Sequence, residues 1–208
     1  MSIPDQGVQL PSMNFLAHAY LSFGDPSILV GNMIGDFVKG KKFAEYPADV
    51  GRGILMHRAI DQFTDLHPAT RRAGEVFRPA YGRYCGVFVD VAYDHFLSVD
   101  PLIFPGNSLF DFSIHTYDLV RQHQDLLPET FKPVFLHMSS HNWLWNYRTR
   151  EGTYRSFGGI IRRARYLSDP VPAVHALEGH YSELKECYGW FFPELIRFSK
   201  QYLHLSML

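Results

Sequence analysis

The stretch "GILMHRAIDQFTD", Gly53 to Asp65, decides how this chain folds, because it is apolar and helix-length yet carries His57, Asp61 and Asp65 four residues apart. Four residues is slightly more than one helical turn, so the three polar side chains stack along one face while Ile54, Ile60 and Phe63 fall elsewhere around the axis. A polar row on an otherwise core-forming helix points to an assembled site.

The same period recurs outward from this segment, and strand alternation bounded by Asn-Gly or Asp-Gly turns is nearly absent, so the expected fold is all-α. Upstream, "NFLAHAYLSF" forms a first helix. Asp25 caps a second, with Pro26 at its first position, running through "SILVGNMIGDFV". Pro47 opens the third helix, which holds the quoted stretch; "TDLHP" reads as its end, with Asp65 a turn residue there. Pro68 and a bend near Pro79 bracket a short fourth helix, and "RYCGVFVDVAYDHFLS" makes a very apolar fifth, central to the core. Ser108 with Asp111 resembles a capping box before the next helix. Pro128 begins another, whose internal Pro133 either kinks it or delays its true start. A basic helix "IIRRARYL" and a closing one from Pro172 complete eight or nine.

A chain of 208 residues with 46% hydrophobic and 15% aromatic content is long and apolar enough for one substantial core. The expected organisation is a single helical domain over 13–208, preceded by a polar, proline-containing extension over 1–12. The formal net charge of -1 gives no overall basic footprint, so general nucleic-acid affinity is not expected. The two cysteines, Cys85 and Cys187, have neither CxxC nor zinc-type spacing and fit inert thiols in a reducing compartment. The lack of a long apolar run or a secretory leader leads to the expectation of a cytoplasmic protein that does not enter a membrane.

Within the fifth helix, "DVAYDH" places Asp90, Asp94 and His95 among core formers, so at least one carboxylate turns inward. Buried carboxylates without a partner are protonated or destabilising, and a divalent cation resolves the conflict. The same reasoning covers His57, Asp61 and Asp36 of "GNMIGDFVKG", where Gly31 and Gly35 permit close helix packing. With His18, His and Asp side chains come from four helices. Oxygen and imidazole donors without thiolates suit manganese, magnesium or iron better than structural zinc.

Other patterns carry less. "GDFVKGKK" has the GxxxxGK spacing but lacks the following Ser or Thr of a phosphate-binding loop. "HALEGHYSEL" contains no Glu-x-x-His pair, which excludes a ferritin-like di-iron site. Neither HExxH nor GxSxG is present. Trp143 and Trp145 are read as core residues that alternatively line a pocket.

The segments "MNFLAHAYLS" from Met13, "VGNMIGDFVKG" from Val30, "GILMHRAIDQFTD" from Gly53, "DVAYDHFLS" from Asp90 and "HYSELKECYGWFFPEL" from His180 together resemble the bacterial acyl carrier protein phosphodiesterases. The resemblance implies a helical bundle like a distorted HD-type phosphohydrolase. It also implies manganese-dependent removal of 4'-phosphopantetheine from holo acyl carrier protein, with Mg2+ or Fe2+ as alternative ions. The HD signature sets His and Asp side by side, whereas "MHRAID" has Arg58 after His57 and its carboxylate at Asp61.

By that analogy the metal set is Asp36, His57, Asp61, Asp90 and Asp94. His18, Asp90 and His95 stand at or just behind the core ligands Asp36, His57, Asp61 and Asp94, and the catalytic set is His18 or His95 as proton donor, with Arg58 on a phosphoryl oxygen or in an ordinary surface ion pair. Such a hydrolysis needs an activated water, charge neutralisation on phosphorus and protonation of a serine alkoxide. Lys39, Lys41 and Lys42 are the first candidates to meet an acidic carrier protein; Arg162, Arg163 and Arg165 are the second, or a solvated helix face. Two other readings are an HD-like phosphohydrolase of a nucleotide or another small phosphodiester, and a non-catalytic helical binder.

Overall fold

A computed structural model describes residues 14–164 and 166–205; the expected extension over 1–12 lies outside the described residues, as does Arg165. Among the described residues there are eleven α-helices and no strand, in agreement with the expected all-α class.

The chain begins with a short α1 (Phe15–Tyr20) and then α2 (Pro26–Ile34), whose N-cap Asp25 accepts the Ile28 amide at 2.9 Å, as the Asp-Pro pair predicts. The second helix stops four residues short of the expected end. From Gly35 the backbone tightens into a 3-10 turn, Gly35–Phe37, followed by another, Gly40–Glu45. Helix α3 (Ala48–Leu66) carries the quoted stretch, and α4 (Pro68–Tyr81) is longer than expected because Pro79 is accommodated inside it. Helix α5 (Cys85–Ser98) is the most enclosed, with Phe88, Val89, Val91, Ala92, Phe96 and Leu97 all buried. Burying each of its larger side chains is worth roughly 1.5–3 kcal/mol, which makes this helix the centre of the core, as expected.

Helix α6 (Ser108–Gln122) starts one residue earlier than the capping-box reading requires: Asn107 is the cap and makes no side-chain capping bond, so Ser108 does not act as the cap. Pro133 sits in the first turn of α7 (Lys132–Ser140), the delayed-start alternative, where its missing N–H costs nothing. The helix then breaks at Asn142, which adopts φ 44 and caps the single-turn α8 (Trp143–Asn146) through the Trp145 amide. The basic segment belongs to a longer α9 (Arg150–Arg163), and α10 (Val171–Gly179) and α11 (Tyr181–Leu205) close the bundle.

The closest pairing in the fold, α2 against α3, is made possible by glycine. A Cβ on Gly31 would lie 2.1 Å from the Val50 carbonyl oxygen and 2.7 Å from the Gly53 Cα. Backbone thus meets backbone, and residues on α2 reach side chains of α3. No described helix is long and apolar enough to cross a membrane. Cys85 and Cys187 are both buried and free, and burial raises both thiol pKa values, so neither is a ready nucleophile.

Candidate metal centre

The α2–α3 approach brings the Asn32 carbonyl to His57, whose Nδ1 lies 2.8 Å from it. The Asn32 side chain serves the other imidazole: its Oδ1 is 2.8 Å from His18 Nδ1, while its Nδ2 donates to the His18 carbonyl at 2.8 Å and to Ser22 Oγ at 3.2 Å. Both acceptors facing the Nδ1 atoms are carbonyl oxygens, so each ring keeps a proton on Nδ1 and Nε2 is the nitrogen left to face inward as a ligand once it is deprotonated. The rings stack with centroids 4.0 Å apart.

Those two Nε2 atoms face carboxylates. His18 Nε2 is 3.2 Å from one Asp61 oxygen, and His57 Nε2 is 3.1 Å from the other and 3.3 Å from Asp36 Oδ1. His57 Nε2 is nevertheless an orphan: it is buried and none of these oxygens is placed to make a hydrogen bond with it. Asp36 reaches this position because the turn at Gly35 lies flat on the imidazole; a Cβ there would stand 2.3 Å from His57 Cγ.

Without an ion, the carboxylates hold one of the two imidazoles, His57, in its charged form. Burial pulls the His57 pKa down, but Asp61 and Asp36 overcome it and raise it to about 10. Burial and then the His57 charge hold His18 below its ordinary value. Burial lifts Asp61, yet the two imidazoles leave its carboxyl well below the usual range. Two stacked imidazoles cannot both be charged in an enclosed site, so the extra proton stays on His57, and a divalent cation can take its place among the same carboxylates. Ligand atoms of His18, His57 and Asp61 lie within 4.8 Å of one another, close enough to share one ion. The residues present therefore fit a divalent cation: neutral imidazole nitrogens, carboxylate oxygens, an orphaned buried nitrogen aimed at the shared space, and Asn32 fixing both tautomers from behind.

Four sequence candidates, His18, Asp36, His57 and Asp61, thus meet, with His18 at the ligand position that the sequence reading allowed beside its reading as proton donor. The structure does not bring Asp94 to them. Its two oxygens accept the Leu16 and Ala17 amides, each at 2.9 Å, and so satisfy first-turn donors of α1 that are buried away from water. Asp94 is a cap supplied from another helix and fixes the element that carries His18. His95 faces away as well, with Nδ1 2.8 Å from the Tyr147 carbonyl and Nε2 2.9 Å from the Tyr181 hydroxyl. Asp90 is half-buried on α5 and is not among the side chains that gather at the cluster.

Arg58 is neither a surface ion pair nor a free cation. Its guanidinium donates to the Val38 carbonyl at 2.6 Å and the Gly40 carbonyl at 2.8 Å, strapping the Asp36 loop to α3. It also lines, with Asp61, Gln62, Asp65 and Leu66, an open cleft of about 340 Å³ beside the cluster. Asp65 is therefore within the helix and at the cleft, not simply a residue that ends the helix. Lys39, Lys41 and Lys42 are exposed on the strapped loop.

The sequence reading missed Asn32. Its signal was a lone amide in the apolar run "ILVGNMI", where a buried polar group needs a stated partner.

Fold and site together define an all-helical protein with a buried histidine–aspartate constellation suited to a divalent metal. The chain belongs to the acyl carrier protein phosphodiesterase family, whose model matches residues 13–195. It is 33% identical over 187 residues to the acyl carrier protein phosphodiesterase of Yersinia pestis, covering 89% of this chain and 96% of that one. It is 34% identical over 186 residues to that of Photorhabdus laumondii subsp. laumondii, covering 88% and 93%. No solved structure matches it.

Proposed function

We propose that this protein hydrolyses the phosphodiester joining 4'-phosphopantetheine to a serine of holo acyl carrier protein, releasing the arm and apo carrier protein. Family membership over most of the chain supports the reaction. The observation that carries the site is the convergence of His18, His57, Asp61 and Asp36 around the orphaned His57 Nε2.

Those four side chains would hold the ion, with Mn2+ the expected metal and Mg2+ or Fe2+ alternatives. When bound, such an ion supplies Lewis acidity and lowers the pKa of water into the neutral range. Asn32 keeps both imidazoles in the ligating tautomer, so no reorganisation accompanies reaction. Arg58 holds the Asp36 loop and presents its guanidinium at the edge of the cleft, where phosphoryl oxygens arrive. Burial raises the Asp65 pKa, and Asp65 lines the cleft, so it is the cleft side chain suited to hold the proton that a serine leaving group needs. His95, enclosed between Tyr147 and Tyr181, is not used for this step.

Lys39, Lys41 and Lys42 project from the loop held against the cleft, and they form the surface offered to the acidic carrier protein, attracting it electrostatically without dominating affinity. The free, buried thiols suit a reducing cytoplasm.

The test is mass spectrometry of holo acyl carrier protein incubated with the protein and Mn2+. The expected result is loss of the whole phosphopantetheine group, abolished by chelator and by Asp61→Asn. Retention of the arm by folded, metal-loaded protein would refute the reading and favour a small phosphodiester as substrate.

A further inference from the structure

The cleft beside the metal centre is lined from one face of α3, by Arg58, Asp61, Gln62, Asp65 and Leu66. Asp61 and Asp65 stack four residues apart, and so do Gln62 and Leu66, which makes two parallel rows that start beside Arg58. The acidic row serves the metal and the proton. The other row, an amide followed by an isobutyl group, has no task in that chemistry.

This second row is exposed yet firmly held. Leu66 is 58% exposed in the last turn of α3, a place where helices commonly fray. His67, the next residue, pins that end: its Nδ1 accepts the Ala69 amide at 3.1 Å, and its Nε2 donates to the Glu194 carboxylate of α11 at 3.1 Å. Phe63 anchors the opposite side of the same turns by stacking on Phe198, with ring centroids 4.6 Å apart. Gln62 is exposed, and its side chain makes no hydrogen bond among the described residues. An apolar group and an open amide are thus displayed on rigid backbone at the mouth of a charged site, where they add nothing to the core and are placed to select a ligand body.

The cleft also has a direction. Arg58 holds the Val38 and Gly40 carbonyls, so the loop bearing Lys39, Lys41 and Lys42 lies at its Arg58 end. Helix α3 rises about 1.5 Å per residue, which puts Leu66 about 7.5 Å beyond Asp61 along the axis, and a helical leucine leans back over the preceding turn, toward Gln62. With the acidic carrier protein drawn to the lysine end, the Gln62–Leu66 end is left to the other half of the phosphodiester.

Resting on the phosphodiesterase reading, we infer that Gln62 and Leu66 are specificity-determining residues for the released half of the substrate, and that the pantetheine arm lies along their row. The chemistry of the arm matches them. One methylene beyond the phosphate it carries a quaternary carbon with two methyl groups, followed by a hydroxyl and an amide. The methyls cover Leu66, and the Gln62 amide, both donor and acceptor, meets the hydroxyl and the amide. Inorganic phosphate reaches the metal and Arg58 and leaves this row empty.

The experiment compares 4'-phosphopantetheine with inorganic phosphate in calorimetric titrations of the full chain loaded with Mn2+, and follows turnover of holo acyl carrier protein by the same preparations. The parent is expected to bind 4'-phosphopantetheine at least about tenfold more tightly than phosphate. Gln62→Ala and Leu66→Ala, both at exposed positions, should each lower that preference about three- to tenfold while phosphate binding stays unchanged. Leu66→Met, which keeps the apolar bulk, should retain it. Equal binding of the two probes by a parent that turns over the carrier protein, or an unaltered preference in both alanine variants, would overturn the inference and leave the phosphodiesterase reading standing. A raised KM for the carrier protein in those variants, with 4'-phosphopantetheine binding intact, would put the carrier protein itself on this row and overturn the inference as well. No turnover by the folded, metal-loaded parent would overturn that reading and this inference with it.

Discussion

Replacing Asn32 with Leu tests the idea that one buried amide prepares both imidazoles for metal. The two side chains have similar volume, so the change removes polarity with little cavity or overpacking cost. Three hydrogen bonds are lost: from His18 Nδ1 to Oδ1 at 2.8 Å, from Nδ2 to the His18 carbonyl at 2.8 Å, and from Nδ2 to Ser22 Oγ at 3.2 Å. At about 1 kcal/mol net each, the fold should lose on the order of 3 kcal/mol. The carbonyl of residue 32 still accepts from His57 Nδ1, so only the His18 arm of the site is released. Loss of such an orienting partner costs about 10–100-fold in metal affinity. Denaturant melts of the metal-free variant should show the first effect, and Mn2+ titration of the folded variant the second. A folded Asn32→Leu protein that binds Mn2+ within about threefold of the parent would refute the view that Asn32 orients the site.

Removing room for the Asp36 loop should be as damaging: Gly35→Ala places a methyl 2.3 Å from His57 Cγ, and a loss of about 1–3 kcal/mol in stability with collapse of metal affinity is expected from melts and titration. Asp94→Asn should separate capping from ligation, because it weakens the Leu16 and Ala17 bonds and lowers stability by about 1–3 kcal/mol yet leaves metal stoichiometry intact, as elemental analysis would read. In metal-free protein the His57 pKa is raised from 6.5 to about 10, so folding takes up a proton. Its contribution to stability is full below about pH 6.5 and is lost as pH rises through about 10. Metal requires the opposite protonation state. Apparent affinity should therefore climb by up to about tenfold per pH unit between neutrality and pH 9, with about one proton released per ion in calorimetry across buffers.

Much of this site was readable because helical spacing is a strong constraint. His57 and Asp61, one turn apart in an apolar segment, had to share a face, and Gly31 and Gly35 announced the close approach that the structure uses. Spacing was silent about direction. Asp94 looked suited to a metal, with Asp90 and His95 beside it, yet which side of α5 meets α1 is settled by tertiary packing, and the orphan amides of α1 claim Asp94. Asn32 escaped because a single amide has no periodicity, and Asp65 because a turn-like "TDLHP" outweighed its place in the row of four. In the fold, Pro79 was read as a stop although α4 accommodates it, and α8 was hidden because the break at Asn142 is a left-handed backbone state that local composition does not announce.

The most direct measurement is a crystal structure of the protein with Mn2+, with anomalous scattering used to locate the ion. The account predicts a single strong peak between the Nε2 atoms of His18 and His57 and the carboxylates of Asp61 and Asp36, with Asp94 still bonded to the α1 amides. A peak at Asp90 or Asp94, or none in a folded and catalytically active protein, would contradict it.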